Sequence, residues 1–120
     1  MQMLESGEDY LEMILMLSMD NPKVRSIDIA QAMDFSKPSV SVAMKKLKEN
    51  GYIVIDDNGY ITLTKSGKEI AEKIYERHVI LTDWFVSIGV NKDTARKDAC
   101  KIEHDLSDET FEAIKKRLQK

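Results

Sequence analysis

Three side chains in one short segment have the types and the spacing of metal ligands. Cys100, Glu103 and His104 supply a thiol, a carboxylate and an imidazole within five consecutive residues. Successive helix residues are about 100° apart, so in a helix these positions lie within roughly one third of a turn of one another. Thiolate, carboxylate and imidazole are the side chains that transition metals take as ligands. The segment therefore predicts a metal site on one helix surface.

Three further side chains extend this candidate site. Asp9 and Glu12 share one side of a first helix that has no lysine or arginine, and His78 lies on an apolar helix stripe. Asp9 and Glu12 could instead be ordinary surface acids. His78 could instead be a hydrogen-bonded core histidine. Cys100 also fits a small buried thiol. The chain has one cysteine, which cannot form an internal disulfide and fits a reducing cytoplasm.

Composition and charge narrow the class of protein. The 120 residues predict one domain, or two small subdomains sharing a core. The chain has no apolar run near the roughly 18 residues of a membrane span, and its N-terminus lacks the pattern of a signal peptide. Its net charge is −3, yet residues 21–50 carry six bases and three acids, whereas residues 1–20 carry five acids and no base. A basic face beside an acidic pocket suits a cation-dependent DNA binder.

The elements that position these side chains follow from hydrophobic periodicity and capping signals. Six helices are predicted, at about residues 8–19, 27–33, 37–50, 64–88, 92–105 and 107 to the C-terminus. Ser26, Thr64 and Ser107 are the expected N-caps of the second, fourth and last helices. The expected buried stripe of the third helix consists of Val40, Met44 and Leu47.

A hairpin is predicted between the third and fourth helices. Two β-rich runs, 52–55 and 60–63, surround Asn58-Gly59, which is a strong hairpin signal. Three helices followed by a hairpin is the order of a winged helix-turn-helix. We therefore predict a mostly α fold, with a winged helix-turn-helix DNA-binding domain and its two-stranded wing at residues 1–63. Residues 64–120 form the predicted helical region for metal binding and dimerisation.

The third helix is the predicted recognition helix. Its outward positions combine small hydroxyl and apolar side chains, which suit base edges, with lysines, which suit phosphates. The candidate DNA-binding residues, with those of the preceding turn and the wing, are Ser36, Lys37, Pro38, Ser39, Ser41, Val42, Lys45, Lys46, Lys48, Asn58 and Tyr60. Specificity would rest on van der Waals contacts and DNA shape. Two alternatives stay open: a solvated lysine face, and a winged helix that contacts protein.

These features together resemble a known family. The chain resembles the diphtheria toxin repressor family of metal-dependent transcriptional regulators, and within it the short manganese-transport-regulator branch. The matching segments are residues 8–12 (EDYLE), 29–30 (IA), 36–41 (SKPSVS), 63–68 (LTKSGK), 77–78 (RH) and 102–107 (IEHDLS). The resemblance implies a homodimer whose winged helix binds double-stranded operator DNA when Mn(II) or Fe(II) is bound.

The resemblance also implies a ligand set. Position by position, the implied ligands are Asp9, Glu12, His78, Glu103 and His104. Cys100 falls where the manganese branch usually has a glutamate and the iron branch a cysteine, whereas Asp9 falls where the iron branch has a methionine. Oxygen ligands suit Mn(II), while Cys100 and the histidines shift the preference toward Fe(II), and toward Co(II) or Zn(II) in vitro. No organic cofactor and no membrane partner are expected.

Apolar positions on the last two helices are candidates for the dimer surface, although core packing within one chain would explain some of them equally well. They are Ile102, Leu106, Phe111, Ile114 and Leu118.

The sequence thus predicts a cytoplasmic metal-dependent transcriptional regulator, acting as a repressor, that controls metal homeostasis. The alternative is a winged-helix regulator that senses an organic ligand or the oxidation of Cys100. An enzyme is not expected, because the chain has no phosphate-binding glycine loop and no recognisable nucleophile–base signature.

Overall fold

The computed structural model of the chain describes residues 5–119. Within this range there are six α-helices and one pair of strands. They are α1 (Glu5–Asp20), α2 (Ser26–Met33), α3 (Lys37–Glu49), β1 (Ile53–Ile55), β2 (Ile61–Leu63), α4 (Lys65–Ser87), α5 (Lys92–Ile102) and α6 (Asp108–Leu118). The predicted fold class, mostly α with a two-stranded wing after three helices, is confirmed. Two parts of the chain lie outside the described range. Residues 1–4 belong to the N-terminus for which no signal peptide was predicted, and Lys120 belongs to the predicted last helix.

Packing divides the chain into two compact units, the first ending at Glu72 and the second beginning at Lys73. The division falls within α4, so this helix contributes to both units. The predicted boundary between residues 63 and 64 stays a prediction. No helix in the described range combines the length and the apolar character that crossing a membrane would require.

The first unit has an apolar core built from all of its elements. The predicted stripe of α3 is confirmed, since Val40, Met44 and Leu47 are all buried. The remaining members of this core are Tyr10, Leu11, Ile14, Val24, Ile29, Ala30, Ile53, Ile61 and Ala71. These side chains come from α1, α2, the segment between them, α4 and the wing, so burial of their apolar surface orients α3.

Polar caps define the helix-turn-helix. The N-terminus of α3 is capped by Ser36, whose Oγ accepts a hydrogen bond from the N–H of Ser39 at 3.3 Å. Asp34 adopts the left-handed region, with φ at 57°, and ends α2. The prediction that Ser26 caps α2 was wrong, because Ser26 is the first helical residue. Asp28 supplies the cap instead, and its Oδ2 accepts from the N–H of Arg25 at 2.8 Å.

The predicted hairpin is confirmed as an antiparallel wing in which Ile55 lies opposite Ile61. The Asp56 N–H donates to the Tyr60 carbonyl and the Gly59 N–H donates to the Asp56 carbonyl, both at 3.0 Å. Gly59 has φ at 82°, so a tight turn followed by a left-handed glycine closes the hairpin. The Ile61 N–H also donates to the Val24 carbonyl at 2.7 Å, which fixes the wing to the segment before α2.

In the second unit, α5 ends three residues earlier than predicted, at Ile102 rather than residue 105. Ser107 caps α6 as predicted, since its Oγ accepts from the Thr110 N–H at 3.1 Å. Phe111 is only 3% exposed, so for this residue the alternative of packing within one chain holds, rather than a dimer surface. Its ring centroid lies 5.2 Å from the guanidinium carbon of Arg77.

Candidate metal centre and nucleic-acid interface

Glu103 is fully buried and its carboxylate lies between the two histidines of the chain. Its Oε2 is 3.0 Å from Nδ1 of His78, and its Oε1 is 3.5 Å from Nε2 of His104. An ionised carboxylate only accepts hydrogen bonds, so Nδ1 of His78 is the donor in this contact. Histidines that bind metals commonly use one ring nitrogen for the metal and the other for such a bond. The second unit thus brings three predicted ligands together.

The end of α5 determines where Glu103 and His104 lie. Glu103 is the C-cap of α5, and its N–H donates to the Ala99 carbonyl at 2.9 Å. The side chain of His104, the next residue, is 2% exposed, whereas that of His78 on α4 is 23% exposed. Within residues 5–119, Oε1 of Glu103 accepts no hydrogen bond. A buried carboxylate oxygen in this state is costly, and a bound cation would offset that cost. The residues therefore fit a metal.

Cys100 lies one turn before Glu103 on α5. It is exposed, so the alternative of a small buried thiol is wrong. A ligand atom of Cys100 and one of Glu103 lie within 4.8 Å of each other, which is the range expected for two donors sharing one ion. The ligand atoms of Cys100 and Glu103 are therefore close together, as their spacing on a helix predicted. His104 lies beyond the last residue of α5, so helical spacing does not describe its position.

Arg77 is a buried cation that the sequence did not single out as functional, and it is 3% exposed. Its Nη1 donates to the carbonyls of Glu103 at 3.0 Å and Leu106 at 2.6 Å. Its Nη2 donates to Oδ1 of Asp108 at 2.7 Å. Hydrogen bonding to Lys73 is the largest of the effects that hold the pKa of Asp108 below its ordinary value, and the charge of Arg77 adds to them. The sequence did contain a sign of this role: Arg77 is a charged residue on the otherwise apolar helix stripe that includes Ile74 and Leu81.

The two acids of α1 belong to the first unit. Asp9 is partly buried and Glu12 is 7% exposed. They are three residues apart, and so on one side of a helix that contains no lysine or arginine. Burying a carboxylate costs free energy unless other groups compensate it, so the alternative of ordinary surface acids does not describe Glu12. The role of both residues as metal ligands stays a prediction.

The predicted DNA-binding residues present a continuous exposed surface on α3 and its preceding turn. Every predicted residue of this segment is exposed. They are Ser36, Lys37, Pro38, Ser39, Ser41, Val42, Lys45, Lys46 and Lys48. Val42 is 57% exposed. On the wing, Asn58 is exposed and Tyr60 is partly buried. The guanidinium of Arg25 lies 4.7 Å above the Tyr60 ring, so a further exposed cation adjoins this surface.

Comparison with known proteins agrees with this geometry. Residues 2–65 match the model of the iron dependent repressor N-terminal DNA binding domain. Residues 64–120 match that of the iron dependent repressor metal binding and dimerisation domain. The chain belongs to the iron-dependent repressor family. This is the family of metal-dependent transcriptional regulators that the sequence resembles, and its two parts coincide with the winged helix and with the helical region that carries Glu103.

Relatives within the family include manganese regulators. An uncharacterized HTH-type transcriptional regulator of Methanocaldococcus jannaschii is 36% identical over 120 residues, covering 98% of this chain and 96% of that protein. The transcriptional regulator MntR of Escherichia coli is 33% identical over 113 residues, covering 94% and 73%. The solved structure of the manganese regulator SloR superposes with a TM-score of 0.84 at 31% identity, covering 94% of this chain and 53% of that one. The chain therefore spans about half the length of that solved relative. The resemblance to the manganese branch is confirmed.

Proposed function

We propose that this chain is a transcriptional regulator whose binding to operator DNA is activated by a divalent cation, Mn(II) or Fe(II). The observation that carries the proposal is the buried Glu103 carboxylate between His78 and His104, in a chain whose other unit is a winged helix. Family membership supports the pairing of a metal-binding part with a DNA-binding part. The proposed protein is a homodimer, acts as a repressor and serves metal homeostasis.

The proposed ligands are Asp9, Glu12, His78, Cys100, Glu103 and His104. In the second unit, Oε2 of Glu103 is engaged by His78, which leaves Oε1 as the oxygen with a vacant acceptor position. Carboxylate oxygens suit Mn(II), whereas imidazole and thiolate shift the preference toward Fe(II), Co(II) and Zn(II). The names of MntR and SloR favour manganese among these ions. When bound, the cation supplies positive charge that offsets the clustered carboxylates.

Coupling to DNA requires that the cation favour one arrangement of the protein over another, since a ligand shifts an equilibrium only by its differential affinity. In the proposal, Asp9 and Glu12 of α1 complete the ligand set, so the first unit is tied to the second when the ion is present. The α3 helices of a dimer would then be held about one DNA turn, roughly 34–36 Å, or a multiple of it apart. Each tenfold difference in the affinity of the cation for the two arrangements shifts the equilibrium between them by about 1.4 kcal/mol.

On the DNA side, the proposal assigns two roles to the α3 surface. Ser39, Ser41 and Val42 are small enough for close approach to base edges and thymine methyl groups. Lys45, Lys46 and Lys48 would contact phosphates and position the helix without reading sequence. The position of these side chains on the helix that follows the turn of a winged helix-turn-helix supports this assignment over a merely solvated lysine face.

The test is a fluorescence-anisotropy titration of operator DNA with Mn(II), with Fe(II) under anaerobic conditions, and with chelator. We expect the metal to tighten DNA binding, and equal affinity in metal and in chelator would refute the proposal. His104→Ala should abolish the stimulation while the circular dichroism spectrum is kept, because it removes a ligand beside Glu103. Asp105→Ala, which changes an exposed neighbour, is the matched control. Loss of DNA binding after peroxide treatment, without any dependence on metal, would favour the thiol-sensing alternative.

A further inference from the structure

Glu103 is held at both of its ends by two consecutive residues of α4. His78 contacts its carboxylate, with Nδ1 3.0 Å from Oε2, and Arg77 donates to its main-chain carbonyl at 3.0 Å. Adjacent helix residues are about 100° apart, which lets the two side chains reach different parts of one residue. Once the carbonyl and the carboxylate are both fixed, few torsions of Glu103 remain to be ordered.

Arg77 also supports the segment on which His104 lies. The helix α5 ends at Ile102, and the last carbonyls of a helix need hydrogen-bond donors from elsewhere. Arg77 supplies such a donor to the C-cap, because its Nη1 reaches the carbonyl of Glu103, and it also reaches that of Leu106 in the following turn, 2.6 Å away. His104 lies between these two anchored carbonyls in the chain. Arg77 therefore restrains the backbone on both sides of His104.

The far end of the Arg77 guanidinium is fixed as well. Its Nη2 donates to Oδ1 of Asp108 at 2.7 Å, and Asp108 is the first residue of α6. The same oxygen forms an ion pair with Nζ of Lys73 at 2.8 Å, at the protein surface. One planar guanidinium thus connects α4, the turn after α5, and α6. A lysine at position 77 could not reach all three oxygens, because an ammonium lacks the fork of the guanidinium.

We propose that Arg77 is a positioning residue for metal binding: by fixing the turn from Glu103 to Asp108, it holds Glu103 and His104 in place before a cation arrives. This inference rests on the proposed function, since it concerns the same ligands. A site whose ligands are already ordered binds more tightly, because less freedom is lost on binding. Residues that support metal ligands in this way typically contribute about 10–100-fold in affinity.

The test compares Arg77→Lys with wild type in the full chain. Mn(II) dissociation constants are measured by electron paramagnetic resonance of the unbound ion, and coordination by the visible absorption of bound Co(II). We expect about 10–100-fold weaker Mn(II) binding and a changed Co(II) spectrum, with the helical circular dichroism retained. Lys97→Met, which changes an exposed lysine of α5, is the control and should change neither quantity.

A second variant keeps the inference testable if the loss of Arg77 prevents folding. Asp108→Ala removes the partner of Nη2 and the ion pair with Lys73, but leaves both carbonyl contacts of Nη1, and we expect severalfold weaker Mn(II) binding with a shifted Co(II) spectrum. Wild-type Mn(II) affinity and an unchanged Co(II) spectrum in Asp108→Ala and in every folded Arg77 variant would overturn the proposal, even if thermal stability fell. Absence of Mn(II) binding by the wild-type protein would instead refute the proposed function itself.

Discussion

The substitution Glu103→Gln separates the fold of the second unit from its proposed metal site. The side chain is fully buried, and the amide has nearly the same shape as the carboxylate, so packing is preserved. What changes is the charge. If Glu103 is a metal ligand, the variant should keep its structure and lose most of the effect of Mn(II).

The expected effect on the metal-free protein is small because two contributions oppose each other. A hydrogen bond to a charged group contributes about 1.5–3 kcal/mol and one between neutral groups about 0.5–1.5 kcal/mol, so the contact with His78 weakens by about 1 kcal/mol. The amide, however, avoids the cost of burying a charge, which is several kcal/mol when incompletely compensated. We therefore expect the free energy of unfolding to stay within about 2 kcal/mol of the wild-type value.

The expected effect in Mn(II) is larger. A cation at 100 times its dissociation constant stabilises the folded state by about 2.7 kcal/mol. If loss of the anionic ligand weakens binding about 100-fold, the same Mn(II) concentration contributes only about 0.4 kcal/mol. For a chain of this length, the increase in Tm on adding Mn(II) should fall from about 10 °C to about 2 °C.

Thermal unfolding with Mn(II) and with chelator measures this difference directly, and anisotropy with operator DNA measures its consequence. Glu112→Gln, which neutralises an exposed acid of α6, is the matched control and should behave as wild type. A Glu103→Gln variant that keeps the full Mn(II)-dependent increase in Tm would refute the assignment of Glu103 as a ligand. A variant that unfolds without metal would show that its charge is needed for the fold.

Three further outcomes are expected. Lys46→Ala should weaken DNA binding at all sequences and reduce the slope of log K against log salt by about 1.8 for two copies in a dimer; a loss confined to one sequence, or an equal effect of Lys97→Ala, would contradict a phosphate role. Gly67→Ala should lower the free energy of unfolding by about 1–3 kcal/mol, because its methyl would overlap the main-chain oxygen of Tyr52, and an unchanged urea midpoint would contradict this. Because the folded-state pKa of Asp108 is lowered, its contribution to the metal-free protein is complete above about pH 5 and disappears as the pH falls through the lowered value. The difference in Tm between wild type and Asp108→Asn should shrink accordingly, and one that stays constant to about pH 2 would refute it.

Most of the fold was predictable because local signals agree with packing. The stripe of Val40, Met44 and Leu47 and the predicted caps Thr64 and Ser107 each specify their helix without information from distant residues. The prediction for Ser26 was wrong for a local reason. The carboxylate of Asp28 reaches back and accepts a hydrogen bond from the N–H of Arg25. The helix therefore begins one residue earlier than predicted, with Arg25 at the N-cap position and Ser26 inside the helix.

The end of α5 could not be predicted from its own sequence. Residues 103–105 are compatible with a helix, and the predicted helix included them. Arg77, 26 residues away from Glu103, donates to the carbonyl of this C-cap residue and to that of Leu106 in the turn that follows the helix. A contact of this kind is tertiary, so periodicity and capping rules carry no information about it. The chemistry of Cys100, Glu103 and His104 was visible in the sequence, whereas the central position of Glu103 between two histidines was not.

The contacts within the second unit also limit what can produce the switch. Hydrogen bonds in which no cation takes part join His78, Glu103 and Arg77 within the second unit. Ligands that are fixed in both states give a cation affinity but little differential affinity, and only differential affinity can shift a conformational equilibrium. In the proposed ligand set, the difference must therefore come from Asp9 and Glu12 on α1. The proposed switch thus assigns binding strength mainly to the second unit, and coupling to DNA mainly to the two acids of the first.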